Sequence, residues 1–263
     1  MERHHHLNIN SNSNVSLMFE EGFAITPKFR KAMKKNFDFN KTNVENNKNL
    51  TRQQKIKEIE HMKKLNDEFL NQKDLKYLIN RGENSLGGYY ITLFYRPDIL
   101  RSGTWKIIKV EPTTKMLRRD CPEQINENRV NSCLQYGDRV ELINMYNQYN
   151  GFLHYRDFTY NGKTQKGLVT LQHPFYNRDN LNGWMLAKYD KTKESKIYEA
   201  GEIKSGDKIC LVCITENGKY VVAIDSEHTI FEGFPILKLV PLTEITKNNV
   251  LIINDDSPPP YVE

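Results

Sequence analysis

Gly137-Asp138-Arg139-Val140-Glu141-Leu142, then Asn150-Gly151-Phe152-Leu153, then Trp184-Met185-Leu186-Ala187-Lys188-Tyr189 are the stretches that decide the fold. Each couples a turn former to a short apolar run, the pattern of strands separated by tight turns. The same order recurs downstream as Gly206-Asp207-Lys208-Ile209-Cys210-Leu211, Asn217-Gly218-Lys219-Tyr220 and Ile236-Leu237-Lys238-Leu239-Val240. A weaker copy lies upstream: Leu75-Lys76-Tyr77-Leu78, Gly87-Gly88-Tyr89-Tyr90 and Trp105-Lys106-Ile107-Ile108-Lys109-Val110. Leu78, Leu142 and Leu211 fall 64 and 69 residues apart, the near-even spacing that a threefold array leaves in a sequence.

Between residues 74 and 247 the strand-like runs are Tyr89–Tyr95, Trp105–Val110, Arg139–Ile143, Gly167–Leu171, Lys208–Ile214, Tyr220–Ile224 and Ile236–Val240. The reading is mainly β, a barrel of three units that buries together what one unit cannot bury alone. The arrangement resembles a β-trefoil over about residues 75–245, and the second unit's order of Gly-Asp, strand, Gly-aromatic-Leu and later Trp resembles the MIR-type trefoil repeat. The first unit departs from the pattern: it lacks the Gly-Asp, and a polar insertion (Thr113–Asn131) separates it from the second. Another β-barrel or a sandwich satisfies the same run of strands. In any of these Trp105 and Trp184 belong in the core.

Residues 1–50 read as a disordered, extended arm. Asn, Lys and Ser dominate Asn8–Asn14 and Asn40–Asn49, and the apolar clusters are Leu17-Met18-Phe19 and Phe23-Ala24-Ile25. Clusters this small do not offset the entropy of ordering a chain. The arm is expected to stay mobile or to dock on a partner through Phe19 and Phe23. Deleting it should abolish assembly and leave the β domain folded. From Thr51, Ile56, Ile59, Met62, Leu65 and Phe69 recur at steps of three and four, which predicts one amphipathic helix over 51–73. Thr51 is its N-cap and Gln54 holds the capping-box position. Its apolar stripe is expected against the neighbouring domain; a partner helix is the competing use.

Lys and Arg number 38 against 33 Asp and Glu, a net charge of +5 with the signs interspersed, so nucleic acid is not an expected partner. Hydrophobic residues are 38% of the chain and mean hydropathy is −0.69, so part of it lies outside any core. No stretch approaches the ~18 apolar residues of a membrane span. Cys121, Cys133, Cys210 and Cys213 make no dense disulfide framework, and no secretory signal opens the sequence, so the cytoplasm or a virion is the expected setting. Cys210 and Cys213 form a Cys-x-x-Cys, but inside a strand such residues face opposite sides, and no second short pair completes a zinc site. The His4-His5-His6 run at a mobile terminus is not by itself a metal site. No metal or cofactor is expected. His154, His173 and His228 lie in no catalytic motif, and Gly82–Gly88 lacks the Gly-Lys-Ser/Thr ending that grips phosphate, so the chain does not read as an enzyme.

The sharpest short motif is Pro258-Pro259-Pro260-Tyr261, in a flexible tail expected over 248–263. Three prolines pre-set a polyproline II helix that aromatic grooves accept. The tetrapeptide resembles the PPxY ligand of WW-domain ubiquitin ligases, which in viral structural proteins recruits budding machinery. A frayed proline-rich terminus accounts for the same residues without a partner. With the arm and the Asn/Lys-rich composition, the motif points to a protein–protein assembly module, a virion component such as a minor capsid protein. Its expected partners are other structural proteins and a WW-domain protein. The alternative is a carbohydrate-binding trefoil lectin using Tyr155, Asp157, Tyr160 and Tyr176.

Overall fold

Val15, Leu17 and Phe19 alternate along one segment, Trp105 and Ile107 along a second, Val140 and Leu142 along a third. Trp184 and Leu186, then Ile209, Leu211 and Cys213, then Leu251 and Ile253 do the same on three more, and all are buried in one cluster. A strand that is apolar on one side turns that side inward, and six such strands that pair edge to edge enclose it. The computed structural model describes residues 7–83, 89–95, 103–110, 132–145, 151–160, 163–172, 183–194, 196–215, 217–229 and 234–256.

Among the described residues the order is β1 (Asn14–Ala24), α1 (Pro27–Asn46), α2 (Arg52–Leu70), β2 (Asp74–Glu83), β3 (Tyr89–Phe94), β4 (Thr104–Lys109) and β5 (Arg139–Asn144). There follow β6 (Gly151–Tyr160), β7 (Lys163–Gln172), β8 (Trp184–Tyr189), β9 (Ile197–Tyr198), β10 (Asp207–Thr215), β11 (Gly218–Thr229), β12 (Pro235–Pro241) and β13 (Leu251–Asp255). The seven strand-like runs of the sequence all fall in these strands. Pairing is antiparallel throughout, and β1, β4, β5, β8, β10 and β13 close back on β1 as a ring. Across the ring's seams Leu17 pairs with Ile253, Val15 with Trp105, Ile107 with Leu142, and Leu211 with Leu186. The hairpins β2–β3, β6–β7 and β11–β12 each continue a ring strand, and they meet one another at β3–β7 and β7–β12. Each indole stitches ring to hairpin: Trp105 Nε1 donates to the Leu78 carbonyl at 3.0 Å, and Trp184 Nε1 to the Leu153 carbonyl at 2.9 Å.

One turn precedes β1, β5 and β10 alike. The amides of Ser13, Asp138 and Asp207 donate to the carbonyls of Asn10, Gln135 and Lys204 at 3.1, 3.1 and 3.0 Å. The side chains of Ser13, Asp138 and Asp207 accept in return from those residues' amides at 3.3, 2.9 and 2.8 Å. The turn needs a left-handed residue, and Asn12 (φ 77°), Gly137 (95°) and Gly206 (89°) supply it. Just upstream, the fully buried Ile9, Leu134 and Ile203 close a backbone cycle: Ile9 donates to Ile203, Ile203 to Leu134 and Leu134 to Ile9, at 2.8–3.0 Å.

These contacts correct two expectations. Residues 14–24 are a ring strand and 27–46 a helix, so the described part of the expected arm, residues 7–50, is not disordered. Phe19 lies in the barrel interior and is not presented to a partner, while Phe23 is half-buried and packs edge-on against Phe29 at 6.3 Å. Few apolar residues suffice to order this polar segment because alternation puts them on one face. Within the supposed 248–263 tail, Leu251 and Ile253 alternate inward as β13, and the β domain thus extends beyond 74–247 at both ends.

A second apolar cluster lies on the outer face of β8 and β10, where Met185, Ala187, Cys210, Val212, Val221, Ile245 and Val250 meet. Cys210 belongs to this outer cluster and Cys213 to the barrel interior, so the two thiols leave β10 on opposite faces. Burial pushes Cys210 up to about 12 and Cys213 to about 11, which keeps both protonated and poor as ligands or nucleophiles.

Candidate functional site

The element that the ring does not need is the helical hairpin α1–α2. It enters and leaves the barrel at adjacent points: Ala24 pairs with Asp74, and the Ile25 amide donates to the Lys73 carbonyl at 2.9 Å. Local chemistry makes it helical. Thr26 caps α1 by accepting from the Phe29 amide at 3.2 Å, with Pro27 in the first turn, where a missing N–H costs nothing. Thr51 and Gln54 form the expected capping box on α2, with reciprocal bonds of 3.3 and 2.8 Å.

Among the described residues the hairpin is fastened at its base. Phe29 is the buried residue of α1 and Phe69 that of α2. Their rings meet at 5.7 Å and pack with Phe94, Tyr95 and Phe234 at centroid distances of 5.0–6.1 Å, where offset and edge-on aromatic pairs are favourable. Arg30 donates from Nη1 to the Leu70 carbonyl and from Nη2 to the Gln72 carbonyl at 2.7 Å, satisfying acceptors that the end of α2 leaves open. Tyr95 Oη donates to Glu68 at 3.3 Å. Away from the base, Ile59, Met62 and Leu65 are half-buried where α2 lies against α1. Phe39 is 65% exposed and Ile56 47%. Of the stripe expected to face the β domain, Phe69 is the residue buried against it among the described residues.

Charge follows the same division. Residues 27–70 hold twelve Lys and Arg against six Asp and Glu, while the remainder of the chain holds 26 against 27. The whole positive excess sits on the hairpin. The first turn of α1 contains Lys28 and Arg30 and no acid, the helix end at which cations are unfavourable.

The structure brings the residues read from the sequence together only in part. Asp157 Oδ1 accepts from the Gly167 amide at 2.8 Å and so braces the β6–β7 hairpin. Tyr155 is half-buried, edge-on to Trp184 at 6.5 Å and hydrogen-bonded to the Cys213 thiol; burial and that thiol raise its phenol to about 12. His154 stacks on Tyr155 at 5.3 Å, and burial, then the Arg156 charge, lower it to about 4, so it is neutral at pH 7. Tyr176, Pro258, Pro259, Pro260 and Tyr261 lie outside the described residues, as do the side chain of Tyr160, Cys121, the His4–His6 run and the Thr113–Asn131 insertion. Among the described residues no group of His, Cys, Asp and Glu is placed to hold a metal ion, and no helix is long and apolar enough to cross a membrane. The helix α1 escaped the sequence reading, although Thr26-Pro27 followed by Phe29, Met33 and Phe37 at four-residue steps marks its start and face.

No protein-family model matches the chain, and no curated protein does. Among solved structures, the SDF2-like protein from Arabidopsis thaliana is similar, at 13% identity and a TM-score of 0.48, over 95% of this chain and 96% of that one. A Caenorhabditis elegans protein with unknown function is 15% identical with a TM-score of 0.42, over 68% of this chain and 86% of that one.

Proposed function

We propose that the chain is a non-enzymatic binding and assembly module, a three-unit β-trefoil that carries a helical docking hairpin inserted in its first unit. The trefoil reading is supported by the six-strand ring, the three hairpins and the turn repeated before β1, β5 and β10. On this reading the first unit begins at β1, with Asn12-Ser13 standing where the others have Gly-Asp. The observation that carries the docking role is the hairpin's economy of burial: it anchors through Phe29 and Phe69 and leaves Phe39 and Ile56 in solvent. Apolar side chains held on a rigid projecting element are what a partner protein's groove accepts.

The adjacent ends of the hairpin make the test direct. Replacing residues 27–70 by a four-residue turn is expected to preserve the barrel and remove the partner. Crosslinking and mass spectrometry from the native source would then recover a stoichiometric protein with the intact chain and lose it with the excised one. Recovery of the same complex by both proteins defeats the reading. The Pro258–Tyr261 tail adds a proposed WW-domain contact, measured as binding that Tyr261→Ala abolishes, and the proposed setting is a virion or another large assembly. The lectin alternative keeps its own test, glycan binding lost in Tyr160→Ala; the Asp157 carboxylate and Tyr155 hydroxyl are already engaged within the protein.

A further inference from the structure

We infer that the lysine face of α1 binds the phosphate backbone of duplex DNA. Lys28, Lys31, Lys34 and Lys35 are all exposed and, at 3.6 residues per turn, fall within an arc of about 120° on the first three turns of the helix. Among the described residues none of the four has a carboxylate partner; the ion pair on this helix, Lys41–Glu45 at 3.8 Å, lies further along it. The first acid after Pro27 is Asp38. Lys28 sits in the first turn of α1, where the positive end of the helix dipole adds to its charge. Lys28, Lys31 and Lys34 follow one another at about 4.5 Å along the axis, with Lys35 about 1.5 Å beyond, so the four charges span about 10 Å of helix.

The composition of the face selects the partner. Lysine is depleted in the cores of protein interfaces but is a point-charge contact for phosphate. Away from the lysine face the hairpin offers a bilayer little charge: residues 37–60 hold five Lys and Arg against four Asp and Glu, nearly neutral. A helix about 10–12 Å across matches the roughly 12 Å major groove of B-DNA, whereas the groove of duplex RNA is too narrow. Arg30, the arginine on this helix, is occupied by the carbonyls of Leu70 and Gln72, which takes the planar bidentate fork out of use and leaves the lysines as point-charge contacts. Contacts to phosphate carry no sequence information, so the binding inferred is sequence-independent. This inference does not rest on the docking role of Phe39 and Ile56, and it fails or stands separately.

The test is fluorescence anisotropy of the full chain with a labelled mixed-sequence DNA duplex, titrated from low to physiological salt. Four phosphate contacts predict a slope of log K against log salt of about −3.6. Changing Lys28, Lys31, Lys34 and Lys35 together to Gln is expected to bring the slope close to zero, and changing them to Arg to restore it. The same change at Lys188, Lys191, Lys193 and Lys204 on the barrel should leave it as it was. Circular dichroism melts confirm that each variant is folded. An unchanged slope in the α1 variant overturns the inference. So does tighter binding to the matching RNA duplex, and so does lysine-dependent binding of poly-glutamate without DNA binding, which would assign the face to an acidic protein.

Discussion

The first strand of the barrel and the helical hairpin follow one another in one continuous stretch of sequence, and they solve the problem of order in opposite ways. The barrel threads β1 between β13, β2 and β4, so the alternate side chains Val15, Leu17 and Phe19 are surrounded. The hairpin puts its apolar stripe against a second helix and, among the described residues, buries Phe29 and Phe69 in the core with Met33 and Leu70 packed beside them. What separates the two is therefore where the apolar residues point and how many neighbours close around them. Overall hydrophobicity does not distinguish them. A residue of β1 is part of a closed network; a residue of α2 beyond the base is part of a lever attached at one end.

The sharpest way to break this comparison is deletion. Removing residues 1–26 opens the ring and the Ile9–Leu134–Ile203 cycle, and is expected to abolish cooperative folding. Excising 27–70 should leave the β circular dichroism signal and the melting transition in place while the helical signal disappears. Equal damage from both would erase the distinction. Next comes Phe19→Ala, expected to cost about 3–5 kcal/mol in urea unfolding, against a change within about 0.5 kcal/mol for Ile56→Ala.

A pH titration separates the regions without a large mutation. His154 titrates near 4 in the fold and near 6.5 when unfolded, so the unfolded chain binds more protons between these values. Barrel stability should fall as pH drops from 6.5 towards 4, by at most about 3 kcal/mol at ~1.4 kcal/mol per unit, and His154→Phe should flatten that part of the profile. The smallest effects belong to the hairpin. Arg30→Ala removes the donors to Leu70 and Gln72 and should cost about 1–2 kcal/mol. Thr51→Ala should cost about 1 kcal/mol, seen as lost helicity with an unshifted barrel transition.

Much of the barrel was legible because its strands carry strong local signals. Gly-Asp and Asn-Gly turns bracket β5, β6, β10 and β11, and both tryptophans read correctly as core. The same logic placed Thr51 and Gln54 at the start of α2. What stayed hidden depends on long-range pairing. Val15, Leu17 and Phe19 gain their burial from strands far along the chain, so a window of neighbours around them looks like a tail. Leu251 and Ile253 are the mirror case, five residues of strand before a proline-rich end. The third copy of the turn was obscured because Asn12-Ser13 performs with side-chain chemistry what Gly-Asp does elsewhere; Asn tolerates the left-handed region, and the Ser hydroxyl substitutes for the carboxylate. The candidate surface escaped for a different reason: a net charge averaged over the chain conceals that the hairpin alone is basic.

The pairing of β1 with β13 also sets a timetable. Val15 faces Asp255, a partner made 240 residues later, whereas the helices of the hairpin meet within a few tens of residues. At the usual ~5–20 residues per second of synthesis, β1 waits roughly 12–48 s for its last neighbour. The hairpin forms on the scale of microseconds to milliseconds. A nascent chain therefore displays finished helices while β1 is still an unsatisfied edge, and chaperone capture during translation, or aggregation in its absence, should concentrate on Asn14–Ala24 until the final strand emerges.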